Sequence, residues 1–130
     1  MNNVYIRPLR EEDAKTSYKW RNDPEVWNFT GSRPDRGITY KIELEWIKKV
    51  LNDKTTKRFA ITVDETYVGN IQLTDIHDQS AEYHIFIGDK SFWGKGISTL
   101  ATYEILHYAK EELGLQNVYL SVREDNIHAV

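Results

Sequence analysis

A strand, a glycine-rich loop and the first turn of a helix follow one another without a break in Ala81-Glu-Tyr-His-Ile-Phe-Ile-Gly88-Asp-Lys-Ser-Phe-Trp93-Gly-Lys-Gly96-Ile-Ser98. The loop glycines let the backbone fold closely around a ligand, because they carry no side chain. A helix that begins at Ser98 would present unpaired N–H groups and the positive end of its dipole to that ligand. The segment therefore predicts an anion site, and phosphate is the expected anion.

Hydrophobic periodicity predicts a mixed fold on both sides of this segment. In chain order the predicted elements are a strand (Val4 to Leu9), a helix (Glu11 to Trp20), a short helix (Glu25 to Asn28), a helix (Thr39 to Asn52), three strands (Phe59 to Val63, Val68 to Leu73, Tyr83 to Ile87), a helix (Thr99 to Leu113) capped by Gly114, and a strand (Val118 to Val122). This order indicates one α+β domain over residues 1–130, with a mixed, mostly antiparallel central sheet and flanking helices.

Composition limits the function classes. With 130 residues and 40% hydrophobic content, the chain is long enough to fold around a core of its own. A net charge of -3 disfavours nucleic acid as a partner, because duplex binding needs a concentrated basic face. The sequence lacks cysteine, a membrane-spanning run and a signal peptide, so a cytoplasmic location without a membrane partner is expected. The four histidines show no metal-ligand spacing, so no metal is expected.

The spacing of the loop separates three phosphate-binding chemistries. A P-loop requires four residues between its glycines and a Ser or Thr after the lysine, whereas five residues separate Gly88 from Gly94, and Gly96 follows Lys95. A dinucleotide fingerprint requires a third glycine where Thr99 stands. Both motifs therefore fail, while a plain connecting loop stays open as the simplest alternative.

The segment from Glu82 to Ser98 resembles the GCN5-related N-acetyltransferases (GNAT), and within them the ribosomal-protein and amino-sugar N-acetyltransferase branch. The resemblance continues through Tyr5 to Asp13, Trp20 to Pro24 and Leu115 to Val122, in the family's order. It implies an acetyl-CoA-dependent N-acetyltransferase that moves the acetyl group directly to a primary amine. Trp93 and Ser98 depart from the broad family pattern, although Trp93 agrees with the narrower branch.

The resemblance also assigns the residues that hold acetyl-CoA. Backbone N–H groups from Trp93 to Ser98 would surround the diphosphate, and the strand before the loop would bind the pantetheine arm along its edge. Gly88 would lie at a bulge or splay in that strand, and Ser98 would cap the helix. The predicted cofactor-binding residues are Phe86, Ile87, Gly88, Trp93, Gly94, Lys95, Gly96, Ile97, Ser98 and Asn126.

Transfer to an amine needs a base, and Glu82 is the predicted catalytic residue, acting through water. A carboxylate serves as a base near neutral pH only if partial burial raises its pKa. His84 lies on the same face of the strand by alternation and is a second base or a substrate contact. Glu82 is alternatively a solvated charge at the edge of the strand. Whether Glu82 or His84 acts as the base therefore stays open.

The family's acid is a tyrosine about one turn beyond Ala129, whereas the sequence ends at Val130. We therefore expect a domain truncated at its C-terminus, without the last helix and hairpin, and doubtful catalytic competence. An uncovered last strand would favour poor solubility or a homodimer through that edge. A catalytically inactive module of the same fold that binds CoA or a nucleotide is the alternative function.

The acceptor amine should bind between the N-terminal helices. Trp20, Arg21, Asn22 and His84 are the predicted substrate-binding residues, together with Trp27 and the loop from Thr30 to Gly37. Core packing is the alternative for the tryptophans, and a surface pair with Asp23 is the alternative for Arg21. An amino sugar nucleotide is slightly favoured over a protein N-terminus or a polyamine.

Overall fold

The computed structural model describes residues 3–26 and 37–119. Within them the elements are β1 (Val4–Pro8), α1 (Ala14–Arg21), α2 (Tyr40–Leu51), β2 (Lys57–Val63), β3 (Thr66–His77), β4 (Ser80–Ile87), α3 (Ile97–Glu111) and β5 (Asn117–Tyr119). The predicted α+β class is confirmed. Across the described ranges, no helix has the length and apolar character that crossing a membrane requires.

A five-stranded sheet in the order β1-β2-β3-β4-β5 forms the centre of the domain. The first four strands are antiparallel neighbours, and β5 runs parallel to β4 after the crossover through α3. This gives the mixed, mostly antiparallel sheet that the element order predicted. The parallel pair places Tyr119 opposite Glu82, so β5 comes next to the predicted catalytic residue.

Two tight turns determine the strand lengths. Asp64 and Glu65 join β2 to β3, and Asp78 and Gln79 join β3 to β4, all with positive φ angles between 45° and 73°. Such two-residue turns match the twist of antiparallel strands. The predicted end of β3 at Leu73 and the predicted start of β4 at Tyr83 were therefore wrong, because both strands continue to the second turn.

Helices cover both faces of the sheet. Helix α3 packs through Ile97, Ala101, Ile105 and Ala109 against the apolar residues on one face. On the other face, Ala14 and Ile47 from α1 and α2 pack with Ala60 of β2. Residues 59–63 are consequently all buried, although their alternation predicted one apolar and one polar face.

Local signals explain where the helices begin and end. Thr39 caps α2, since its hydroxyl accepts a hydrogen bond from the Ile42 N–H at 3.1 Å. The acidic start predicted for the first helix forms a 3-10 turn, Glu11–Asp13, before α1. Gly114, with a φ of +64°, lets the chain reverse after α3, so that the Leu115 N–H donates to the Ala109 carbonyl at 3.0 Å.

Candidate active site

The glycine turn in front of α3 has the backbone conformation of an anion-binding site. Gly94 and Gly96 both have a φ of +75°, in the left-handed region that glycine adopts without strain. Gly96 occupies the N-cap position, so the prediction that Ser98 caps the helix was wrong, and Ser98 is its second residue. A left-handed residue followed by helical residues turns successive N–H groups to one side.

The N–H groups of this turn are available to a ligand. Within the described part of the chain, the N–H groups of residues 94–98 donate to no protein acceptor, and the helical bonds begin with Leu100 donating to the Gly96 carbonyl at 3.3 Å. Apart from its neighbours along the chain, a Cβ added at Gly94 or Gly96 would have no atom of the described residues within 4 Å. The exposed backbone at these glycines, with Lys95 between them, fits the diphosphate of acetyl-CoA.

Strand β4 ends beneath a tryptophan. A Cβ on Gly88 would lie 2.1 Å from the Trp20 ring, so only glycine fits at this position. The Gly88 N–H donates to the carbonyl of Val68 at 2.9 Å. Val68 is the extra residue of a bulge in β3, because Ile61 pairs with Gly69 while the next residue of β2 pairs with Tyr67. The bulge predicted at Gly88 therefore lies across the sheet from it.

The side chain of Trp93, the residue before the glycine turn, reaches back to the end of β4. Its indole Nε1 donates to the Ile87 carbonyl at 2.7 Å, which anchors the turn to the strand. Both residues were predicted to contact the cofactor, and here they contact each other. Phe86 packs edge-on against Trp20, with ring centroids 5.9 Å apart. The hydrogen bond from Trp93 therefore fixes the start of the glycine turn relative to the end of β4.

The two predicted base candidates form a pair. The Glu82 carboxylate Oε1 lies 3.2 Å from His84 Nε2, with side chains that are 22% and 40% exposed respectively. Strand alternation brought both residues to one face, as predicted. His84 Nε2 also lies 3.2 Å from the hydroxyl of Thr74 on β3. A partly buried carboxylate, an imidazole and a hydroxyl therefore meet near the start of β4.

Neighbouring strands add three groups that the sequence interpretation missed, Thr74 and Asp75 on β3 and Tyr119 on β5. Partial desolvation, followed by the negative charges of Asp75 and Glu82, raises the pKa of the Tyr119 phenol. Asp75 and Thr74 escaped notice because β3 was predicted to end at Leu73. Alternation continued without a break from the turn would have paired Asp75 with Glu82, and it is the register shift between Thr74 and His77 that pairs Thr74 with Glu82 instead.

The predicted acceptor residues have structural partners. Trp20 is buried, and its ring centroid lies 4.7 Å from that of Tyr67. The amide of Asn22 braces the chain, since it donates to the Ile38 carbonyl at 2.6 Å and accepts from the Ile38 N–H at 2.8 Å. Contact with an acceptor stays a prediction for both residues.

The surface pair between Arg21 and Asp23 was wrong. Arg21 Nη1 instead lies 2.8 Å from the carboxylate of Glu43, a residue of α2 that is 2% exposed. Asp23 pairs with Lys90 at 3.1 Å, and Lys90 also reaches Glu25 at 3.2 Å. The hydrogen bond from Lys90 lowers the pKa of the Asp23 carboxyl. These pairs tie α1 to α2 and to the start of the glycine turn.

Three predictions lie wholly or largely outside the described residues. They concern Trp27, the loop from Thr30 to Gly37, of which only Gly37 is described, and Asn126. Among residues 3–26 and 37–119, no three His, Asp or Glu side chains cluster in a way that could hold a metal ion.

Comparison with known proteins gives the class of the molecule. Residues 3–130 match the family model described as Acetyltransferase (GNAT) domain. The chain is 27% identical to Acetyltransferase PseH from Campylobacter jejuni over 122 residues, covering 94% of this chain and 74% of the relative. It is also 27% identical to Spermidine N(1)-acetyltransferase from Escherichia coli K12, covering 99% of this chain and 69% of that relative.

Solved structures share the fold. Spermidine N-acetyltransferase from Vibrio cholerae, in complex with CoA and spermine, gives a TM-score of 0.82 at 23% identity, over 97% of this chain and 75% of that one. Aminoglycoside acetyltransferase AAC(6')-Ib, in complex with coenzyme A, gives 0.81 at 17% identity, over 98% and 79%. The family model over residues 3–130 gives the class of the molecule, which is an N-acetyltransferase. The chain belongs to the GNAT family, while its branch within the family stays a prediction.

Proposed function

We propose that this domain binds acetyl-CoA at the glycine turn and transfers the acetyl group directly to the primary amine of a small acceptor. The turn of residues 94–98, with unpaired N–H groups and two left-handed glycines, is the observation that carries the proposal. A diphosphate satisfies such a row of donors, and the dipole of α3 adds to the attraction.

The proposed base lies on β4, the strand that leads to this turn. Gly88 lies four residue steps after His84, which corresponds to about 13 Å at a rise of about 3.3 Å per residue. An extended pantetheine arm can cover this distance along β4, so that Phe86 and Ile87 would lie beside it. The Glu82–His84 pair then accepts a proton from the amine, which arrives as an ammonium ion.

Acetyl-CoA supplies the activated acetyl group, and the residues of this chain supply binding, orientation and proton transfer. Residues 94–98 hold the diphosphate, and the Trp93–Ile87 hydrogen bond fixes the turn relative to the strand. The acceptor is an amine, with an amino sugar nucleotide, a protein N-terminus and a polyamine as the three classes to test. Glu82 and Asp75 favour the approach of a cation to the start of β4.

Calorimetry and an activity assay test the proposal together. We expect CoA to bind, and pantetheine, which lacks the diphosphate, to bind at least about tenfold weaker, because charge-assisted hydrogen bonds contribute about 1.5–3 kcal/mol each. A thiol-release assay with acetyl-CoA should then give turnover on one of three probes: spermidine, an amino sugar nucleotide or a short peptide. Equal affinities for CoA and pantetheine would refute the diphosphate site, and CoA binding without turnover would indicate an inactive binding module.

The oligomeric state and the cellular location of the domain are further parts of this proposal. Strand β5 is the last described element and lies at one edge of the sheet, where a second copy would add a strand. Light scattering checks the predicted homodimer, and cell fractionation checks the cytoplasmic location.

A further inference from the structure

We propose that His84 Nδ1 is the atom that takes the proton from the attacking amine, and that Thr74 and Glu82 are positioning residues that hold the opposite side of the ring. The inference rests on the proposed N-acetyltransferase function and assigns separate roles to the residues that form its base. Thr74 has no role in the sequence interpretation.

The contacts of the ring determine which nitrogen carries hydrogen. His84 Nε2 lies 3.2 Å from Glu82 Oε1 and 3.2 Å from Thr74 Oγ1. The Thr74 hydroxyl can donate or accept, whereas an ionised carboxylate 3.2 Å away can only accept, so the carboxylate favours the tautomer with its hydrogen on Nε2. A neutral imidazole has a single N–H, and the lone pair of His84 is therefore on Nδ1.

The free nitrogen is accessible. Within the described residues, His84 Nδ1 forms no hydrogen bond with the protein, and the side chain is 40% exposed. Glu82 is 22% exposed, and its Oε1 faces the ring. A water or an amine that approaches this face can therefore reach Nδ1, whereas this oxygen of Glu82 is already engaged with Nε2.

The strand register explains why Thr74 matters. Thr74 pairs directly with Glu82, while His84 pairs with Gln72, so the imidazole reaches Thr74 along the diagonal of the β3–β4 ladder. Two acceptors on different strands restrict the ring more than one flexible carboxylate alone. Thr74 is β-branched and therefore has a restricted side-chain rotamer, and it is the last ladder residue before the irregularity that leads to His77.

The proton balance of the step is simple. The ammonium ion first loses one proton to Nδ1, and the free amine then attacks the acetyl carbon. The N–C bond forms, the C–S bond breaks, and the second N–H proton passes through water to the departing thiolate sulfur. The resulting imidazolium donates through Nε2 to Glu82, which stabilises the charge as the buried carboxylate does in a serine-protease triad. Among the described residues, Tyr119 on β5 lies close enough to Glu82 and Asp75 for both charges to act on its phenol.

The tautomer can be measured without any substrate. In ¹⁵N-detected NMR spectra of the full chain above the pKa of His84, we expect the Nε2–H tautomer, with Nδ1 unprotonated. The Thr74→Val, Glu82→Gln double variant should shift the population toward the Nδ1–H form. A wild-type ring in the Nδ1–H form would overturn the inference even if the domain transfers acetyl groups.

Kinetics separate positioning from packing, using the amine that gives turnover in the assay above. We expect His84→Gln to lower kcat about 10²–10⁴-fold, as for loss of a general base. Thr74→Val should lower kcat about 3- to 10-fold, as for one hydrogen bond, and Thr74→Ser should restore it. Thr66→Val, an exposed site at the far end of β3, is the matched control and should match wild type.

The pH profile distinguishes the two bases. Glu82→Gln should lower kcat but keep a pH profile that rises as the base loses its proton, whereas His84→Gln should lose that rise. If Glu82→Gln removes activity while His84→Gln keeps the wild-type profile, Glu82 is the base and the inference fails. If the wild-type domain turns over no amine at all, the proposed function fails with it.

Discussion

Replacing Gly96 with alanine tests the diphosphate turn. The φ of +75° at Gly96 costs about 1–2 kcal/mol for a residue with a Cβ. The less flexible unfolded chain offsets about 0.4–1 kcal/mol of that cost, which leaves a net loss of roughly 1 kcal/mol. For a domain of this size the melting temperature should fall by about 3–6 °C.

The same change should weaken CoA binding far more than it weakens the fold. Relief of the strain turns at least one N–H of the turn away from the ligand, and a hydrogen bond to a charged acceptor contributes about 1.5–3 kcal/mol. We therefore expect the Kd for CoA, measured by calorimetry, to rise about 10- to 150-fold. Among the described residues, no atom beyond the chain neighbours of Gly96 lies within 4 Å of the added methyl group, so a clash with these residues does not explain the effect.

Gly114→Ala is the matched control. Gly114 also has a positive φ, +64°, and open space around its Cβ position, but it follows the opposite end of α3. The two variants should lose similar stability, while only Gly96→Ala loses affinity for CoA. Equal Kd values for the two variants would refute the assignment of the diphosphate to this turn.

Three further changes test other parts of the structure. Gly88→Ala should destabilise the fold by about 1–3 kcal/mol in urea denaturation, since its Cβ would overlap the Trp20 ring. Asn22→Ala should cost about 1–3 kcal/mol in the same assay, because its amide hydrogen-bonds the backbone across the loop. The backbone carbonyl and then the carboxylate of Asp75 raise the pKa of His77 above 6.5, so Asp75→Asn should lower it in an NMR titration. The stabilisation of the fold by charged His77 is complete below pH 6.5 and disappears as the pH rises through the folded-state pKa of His77. An unchanged pKa of His77 in Asp75→Asn would contradict the contribution of the carboxylate.

Local patterns predicted the helices well and the strand ends poorly. Helix α2 was predictable because its cap at Thr39 and its spacing depend on neighbours within one turn. The ends of β3 and β4 were not, because Asp78 and Gln79 adopt left-handed angles without the glycine or asparagine that usually marks such a turn.

Pairings between distant segments escaped the sequence interpretation. Glu82 and His84 were assigned to one face because a strand alternates strictly. The partner of Arg21 was missed, since Glu43 is 22 residues away and sits on another helix. Gly88 was assigned to a bulge, although its actual constraint is the Trp20 ring, which the folded helix α1 places over it.

Sequence alone determined the order of elements, the strand–turn–helix around Gly94 and Gly96, and the family resemblance, because each depends on residues that are close along the chain. Tertiary structure decided how the ring of His84 is held. Glu82 reaches His84 by alternation within β4, whereas only the register of the β3–β4 ladder brings the Thr74 hydroxyl within 3.2 Å of the same nitrogen. The proposed tautomer depends on that register, because a hydrogen bond needs both atoms within reach.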